Sequence, residues 1–234
     1  MKKLFFALMA LAAIALVGCK DKKDEPEMNI DCSLPDNAEA VDLGLPSDTK
    51  WANMNVGATK PEENGAFFAW GEISPKEVYD VSTYKWCKGS EKTLTKYCTD
   101  SKYGTVDNKT VLEPADDAAH VNWGGDWRMP TGDEITELIN KCQWDWQTDY
   151  QGISGLNGYK VSSKVKGNTN FIFLPVAGFR IDNQSYDIGK NGCCWASSLS
   201  DYSPRTYGIY FYSEGVVKSD ASRYIGQSVR PVCK

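Results

Sequence analysis

Trp127-Arg128-Met129-Pro130-Thr131-Gly132-Asp133-Glu134-Ile135-Thr136-Glu137-Leu138-Ile139-Asn140-Lys141 is the stretch whose reading decides the fold. Thr131 is placed to cap a helix, and Glu134, three residues on, completes a capping box. Ile135, Leu138, Ile139 and Cys142 then recur on one face, so the spacing predicts an amphipathic helix from Thr131 to about Lys141. A shorter helix is expected at Asp116–Val121, where Pro114 precedes two carboxylates suited to a helix N-terminus. Beyond Lys141 the pattern changes to strands at 143–148, 158–165, 170–176, 194–199, 207–212, 215–219 and 227–232. The segments 207–212 and 215–219 form a hairpin across Ser213-Glu214. Helices first and an antiparallel sheet afterwards make the chain α+β.

Composition agrees with a fold of short strands and many turns. The 234 residues include 20 Gly, 8 Trp, 12 Tyr and 8 Phe. With 41% hydrophobic and 24% charged residues the chain is ordinary globular material. A formal net charge of −5 argues against the basic face that nucleic-acid binding requires. His120 is the single histidine, which excludes multi-histidine zinc and iron centres and leaves a Ser-His-Asp triad only if it used that residue. No metal or cofactor is expected, and composition leans away from an enzyme.

Met1-Lys2-Lys3 followed by Leu4–Val17 has the basic and apolar regions of an export signal, too short to remain as a spanning helix. It ends in Leu16-Val17-Gly18-Cys19, which resembles the bacterial lipobox, so 1–18 reads as a removable leader and Cys19 as the lipid-attachment site. Several acyl chains anchor durably where one would be marginal. The protein is thus expected in the outer membrane, held there by lipid and facing the cell surface. Lys20–Glu27 is a solvated charge run. It is either a surface-sorting signal or a spacer, and 19–37 is expected to be a flexible tether before one domain at 38–234.

The other cysteines are Cys32, Cys87, Cys98, Cys142, Cys193, Cys194 and Cys233. Their spacing lacks paired Cys-x-x-Cys knuckles, so disulfides are favoured over zinc in an exported chain, with Cys32 the odd one out. Cys87 and Cys98 enclose a ten-residue polar loop whose closure would contribute about 2–3 kcal/mol.

Several blocks occur in order: Ala40–Leu45, Lys50–Ala52 with Asn55–Ala58, Phe68–Glu72, Asp116–Ala119, Trp123–Thr131, Phe173–Arg180, Trp195–Ser198 and Ser228–Val232. Together they resemble the Fibrobacter succinogenes major paralogous domain, found in lipoproteins of Bacteroides-like bacteria, across nearly all of 38–234. Trp-Arg-Met-Pro-Thr and Val-Arg-Pro-Val further resemble segments of C-type-lectin-like domains and formylglycine-generating enzymes. That resemblance implies a twisted antiparallel sheet with one or two flanking helices, adjacent N- and C-terminal strands, and a long excursion at 178–192. It also implies a Cys142–Cys233 bridge; the competing pairing joins Cys233 to Cys193 or Cys194. The enzyme likeness would make Cys193 and Cys194 an oxidase pair. The calcium triplets of sugar-binding lectins are not matched, since Glu113-Pro114-Ala115 lies upstream of the capped helix and nothing reads Trp-Asn-Asp.

The remaining candidates are binding residues. Asp182, Asn183, Gln184, Tyr186 and Asp187 offer the planar polar groups and ring that contact a sugar or a peptide, or form a plain solvated loop. Trp86 is the candidate exposed ring, whereas Trp51, Trp70, Trp123, Trp127 and Trp195 are expected in the core. Trp144 and Trp146 share one strand face. Asp116 and Asp117 read as helix N-terminal charges, one paired with Arg128 or Arg230, and Arg230 is expected to find a buried carboxylate. The resulting expectation is a non-enzymatic surface module that binds extracellular protein or glycan. The alternatives are an oxidase using Cys193 and Cys194, and a structural part of a surface or pilus assembly.

Overall fold

The computed structural model describes residues 30–202 and 204–234. The leader and Cys19 lie outside the described residues, as does most of the tether.

Helix α2 spans Gly132–Lys141 and has the capping box expected of it: the Thr131 hydroxyl accepts from the Glu134 N–H while the Glu134 carboxylate accepts from the Thr131 N–H. Ile135 and Leu138 are fully buried on its inner face. The shorter helix α1 is shifted slightly along the chain, to Ala118–Trp123, behind a 3-10 turn at Pro114–Asp116. Asp117 caps it, accepting from Ala119 and His120 N–H, and also takes the Met129 N–H.

Among the described residues the strands form four sheets rather than one. β1 (Ala40–Val41), β2 (Lys50–Ala52) and β13 (Val232–Cys233) are joined in that order, so the last strand lies beside β2, with the first strand β1 on the far side of it. β4 (Cys142–Gln147), β5 (Gly158–Ser163) and β6 (Phe171–Pro175) make an antiparallel meander. β7 (Phe179–Ile181) and β8 (Gln184–Tyr186) are a separate hairpin. The largest sheet runs β11 (Gly215–Ala221), β10 (Thr206–Tyr212), β9 (Asn191–Leu199), β12 (Gln227–Ser228) and β3 (Phe67–Phe68), with β9 and β12 parallel.

The single sheet expected from sequence is corrected here, and 227–232 shows why. Pro231 cannot donate to a ladder and Arg230 turns its side chain into the core, so the segment breaks into β12 and β13 in different sheets. The architecture is α+β.

One core packs α2 and the inner face of the meander against Cys194, Ile209 and Phe211. A second surrounds Trp70 and Trp195, whose indole N–H groups donate to Ala196 O and Phe68 O across the strands, both at 2.7 Å. Trp51, Trp70, Trp123 and Trp195 are buried as expected, and Trp127 packs half-buried beside Trp123. A third, smaller core lies under 69–104 and holds Tyr79, Tyr84 and Leu94.

Three further expectations need correction. The domain starts before residue 38: Cys32 is buried in the second core, Ile30 packs on it, the Asn37 side chain donates to Thr59 O, and the Asn53 side chain donates to Asn37 O. Among the described residues Arg230 meets no carboxylate. It donates instead to Asn55 Oδ1 (2.8 Å), Ala52 O (3.0 Å) and Phe173 O (2.9 Å) while fully buried. Asp116 pairs with Lys96 and accepts from the Tyr97 hydroxyl, whereas Arg128 forks onto Glu134.

Neither expected bridge, Cys87–Cys98 nor Cys142–Cys233, is formed. The Cys87 and Cys98 thiols donate to different carbonyls, Val81 O at 3.0 Å and Asp100 O at 3.1 Å. Cys142 sits in the α2 core opposite Ser163, and Cys233 lies on β13 opposite Lys50.

Candidate functional site

The five loop residues singled out by sequence share one exposed hairpin. Asp182 and Asn183 make the turn between β7 and β8, Gln184 and Tyr186 lie on β8, and Asp187 follows it. Much of its polarity is already used. The Asp187 carboxylate accepts from Asn191 Nδ2 at 2.7 Å, and the Tyr186 ring stacks on Phe179 at 5.7 Å. The Arg180 guanidinium fixes the hairpin to the preceding excursion by donating to the Lys76 and Glu77 carbonyls. Gly178 permits the approach: it has φ of +72°, and a Cβ there would stand 2.1 Å from Tyr186 O.

Trp86 is held elsewhere. Its indole N–H donates to Gly71 O, its ring meets Tyr97 edge-on, and the ammonium groups of Lys85 and Lys96 lie 4.3 and 4.9 Å from it. It is half-buried within an ion-paired cluster rather than an open platform.

A concavity elsewhere on the molecule involves none of these residues. A cleft of about 340 Å³ lies between β1 and β6, with Glu39, Val41, Asn53 and Pro61 on one side and Tyr150, Gln151 and 169–173 on the other. Strand parity builds its inner wall. Tyr159, Val161, Ile172 and Leu174 take the core face of the meander, so Phe171 and Phe173 point to the opposite face. Tyr150 stacks on Phe173 with centroids 3.9 Å apart and planes 5° from parallel, while Phe171 remains 40% exposed.

The loop carrying Tyr150 is held in a costly conformation. Asp149 (φ +50°) and Gln151 (φ +55°) are left-handed non-glycine residues flanking it. The turn is fixed by Tyr150 N–H to Leu156 O at 2.7 Å, Gly155 N–H to Asp149 Oδ1 at 2.6 Å and Asp149 N–H to Asn157 Oδ1 at 3.2 Å. Such positions persist only where the surroundings over-determine them, and Asp182 and Asp187 of the hairpin adopt the same geometry, so it describes a tightly held turn and does not single out the cleft. The Asn168 and Asn170 amides both donate to Asp42 O and Ser163 Oγ donates to Leu43 O, which ties the segment before β6 to the chain that follows β1.

Several polar groups on this wall are uncommitted. Among the described residues the Glu39 carboxylate, the Gln151 amide and the Thr169 hydroxyl make no hydrogen bond, and the Asn170 Oδ1 is likewise unspent. Sequence reasoning missed this site, since it joins Glu39 to Phe171 across more than half the chain with no motif in between.

The paired thiols are separated by the strand pleat. Cys194 lies opposite Ile209 in the α2 core, and Cys193 lies opposite Tyr210 on the other face. Burial raises both thiols, Cys194 to about 11 and Cys193 further, so neither is a thiolate near neutrality. His120 uses Nδ1 against Trp127 O. Among the described residues no group of acidic, cysteine or histidine side chains is arranged to hold a metal ion, and no helix is long and apolar enough to cross a membrane. No family model, curated protein or solved structure matches the chain.

Proposed function

We propose that this chain is a lipid-anchored module of the outer membrane, displayed at the cell surface, that binds an extracellular glycan or protein without transforming it. The observation that carries the binding role is the cleft between β1 and β6: concave, ring-walled, and lined by side-chain donors and acceptors that the fold does not use. The anchor rests on Leu16-Val17-Gly18-Cys19 and on the charge run that follows it. Membership of the Fibrobacter succinogenes major paralogous domain family rests on the ordered sequence blocks. A C-type-lectin-like fold is supported by the pairing of β2 with β13 and by the capped helix ahead of the meander.

The oxidase reading loses support from the placement of Cys193 and Cys194 on opposite faces, where they cannot act on one substrate atom together. The test has two arms on full-length protein made in its own cell type. Membrane fractionation should find the wild type with the outer membrane and Cys19→Ser released; a Cys19→Ser protein still pelleting after a high-salt wash would refute the anchor. A glycan array and a pull-down with the detergent-extracted protein should each be read for saturable binding, and none on either would refute the module.

A further inference from the structure

We infer that the cleft between β1 and β6 is a site for a neutral saccharide of one or two sugar rings, an inference that rests on the binding-module reading above and assigns its ligand class. Three features of the wall select that class. The first is ring geometry. Tyr150 is half-buried with one face against Phe173, and Phe171 is 40% exposed with the Lys160 ammonium 4.4 Å from its ring centre. Flat apolar faces set beside hydrogen-bonding groups match a sugar ring, which presents C–H on its faces and hydroxyls around its rim.

The second is the kind of hydrogen bonding on offer. The uncommitted groups are a carboxylate (Glu39), an amide (Gln151), a hydroxyl (Thr169) and an amide oxygen (Asn170 Oδ1), all carried by side chains. Hydroxyls can donate to the two oxygens and exchange both roles with the amide and the hydroxyl. An inserted peptide strand would instead need main-chain partners along β6. There the Phe173 carbonyl is already taken by Arg230 at 2.9 Å, and β1 is only two residues long. The wall therefore favours a hydroxyl-rich small ligand over strand addition.

The third is charge. The lining residues include one carboxylate, Glu39, and no Lys, Arg or His, and the Lys160 ammonium stands over the Phe171 ring on the same wall, so the two opposite charges leave the cleft without a net charge that would select an ionic sugar. The volume of about 340 Å³ stands at the small end of ligand pockets, which limits occupancy to a short glycan or the end of a longer one.

The turn at Asp149–Gln151 gives a variant that separates binding from folding. Gln151 has φ of +55°, where glycine is relaxed, so Gln151→Gly deletes the amide while relieving its own backbone. Its stability should equal or exceed that of the wild type. Calorimetric titration of the detergent-extracted full-length protein would use methyl glucoside, methyl galactoside, methyl mannoside, N-acetylglucosamine and their disaccharides, with glucuronate and a mixed nonapeptide pool as contrasts. The expected result is saturable binding of at least one neutral sugar. Gln151→Gly and Glu39→Gln should each weaken it about tenfold, as loss of one or two hydrogen bonds requires, with a Gln184→Ala/Tyr186→Ala hairpin variant unchanged.

Binding of glucuronate alone, of the peptide pool alone, or of a neutral sugar with unchanged affinity in both cleft variants would overturn this inference while leaving a binding module intact. Weakening confined to the hairpin variant would move the site to β7–β8. If every sugar and the peptide pool fail while the pull-down still captures a protein partner, the saccharide assignment falls alone; if the pull-down is also empty, the module falls with it.

Discussion

Replacing Arg230 by methionine isolates the most unusual group in the core. The guanidinium is fully buried, has no carboxylate partner among the described residues, and ties the closing segment to two other parts of the chain, 52–55 through Ala52 O and Asn55 Oδ1 and β6 through Phe173 O. Methionine roughly fills the same space, so the cavity contribution is small and the hydrogen bonds dominate. Each oxygen left without a donor costs about 1–3 kcal/mol, or about 6 kcal/mol for the three at mid-range. Against this stands the relief of burying a charge. Burial lowers the Arg230 pKa to about 10, with Cys194 acting weakly in the other direction, and a depression of that size corresponds to about 3 kcal/mol.

The net expectation for Arg230→Met is destabilisation by about 3 kcal/mol, a fall in Tm of roughly 6–12 °C for a domain of this size. Urea denaturation of the full chain at pH 7, followed by tryptophan fluorescence, measures it directly. An Arg230→Met protein within about 0.5 kcal/mol of the wild type would refute the reasoning, because it would mean that the three oxygens do not depend on the guanidinium.

Glu134 gives a pH-dependent counterpart. Burial raises its carboxyl, but Arg128, the Thr131 N–H and the Thr49 hydroxyl outweigh that and hold it at about 2. Its folded pKa is therefore depressed, and its contribution, about 2–3 kcal/mol, is complete above pH 4.5 and lost as pH falls toward 2. Denaturation curves for Glu134→Gln should be flatter across that window by about one proton, and an unchanged slope would contradict this. Asp117, raised by burial, acts in the opposite sense and cancels in the comparison. The Cys193 and Cys194 thiols, raised by burial, should resist an aromatic disulfide reagent at pH 8 in the native chain and react once it is unfolded; rapid native labelling at both would reopen the oxidase reading.

What could be read from sequence was what short-range chemistry fixes. Helix α2 announces itself because its cap and its apolar face lie within twelve residues. The β10–β11 hairpin follows from alternation around a two-residue turn, and Trp144 and Trp146 share a face because strand parity demands it; both meet Tyr159 edge-on. The stretch from Gly71 to Glu113 was opaque because isolated contacts hold it: Tyr79 pairs with Asp182, Leu94 bridges Cys87 and Gly104, and the Tyr79 hydroxyl donates to Phe67 O.

Arg230 read as an ion-pair partner because burial of a charge usually demands one, yet two backbone carbonyls and an amide oxygen, brought from the two segments 52–55 and 173, satisfy it instead. The hairpin residues 182–187 were legible as exposed and polar, but not the internal pairing of Asp187 with Asn191 that uses part of that polarity. The cleft depended on Gln151 adopting φ of +55°, which no residue preference signals, and on Asn170 reaching back to Asp42 O.

The central claim is that a surface module takes its ligand between β1 and β6, and amide hydrogen exchange tests it without assuming what that ligand is. The full-length protein, exchanged with and without any glycan or protein partner recovered by array or pull-down, should gain protection at 39–41, 149–152 and 169–173, with 182–187 unchanged. Protection confined to 182–187, or spread elsewhere with the cleft unaffected, would contradict the account.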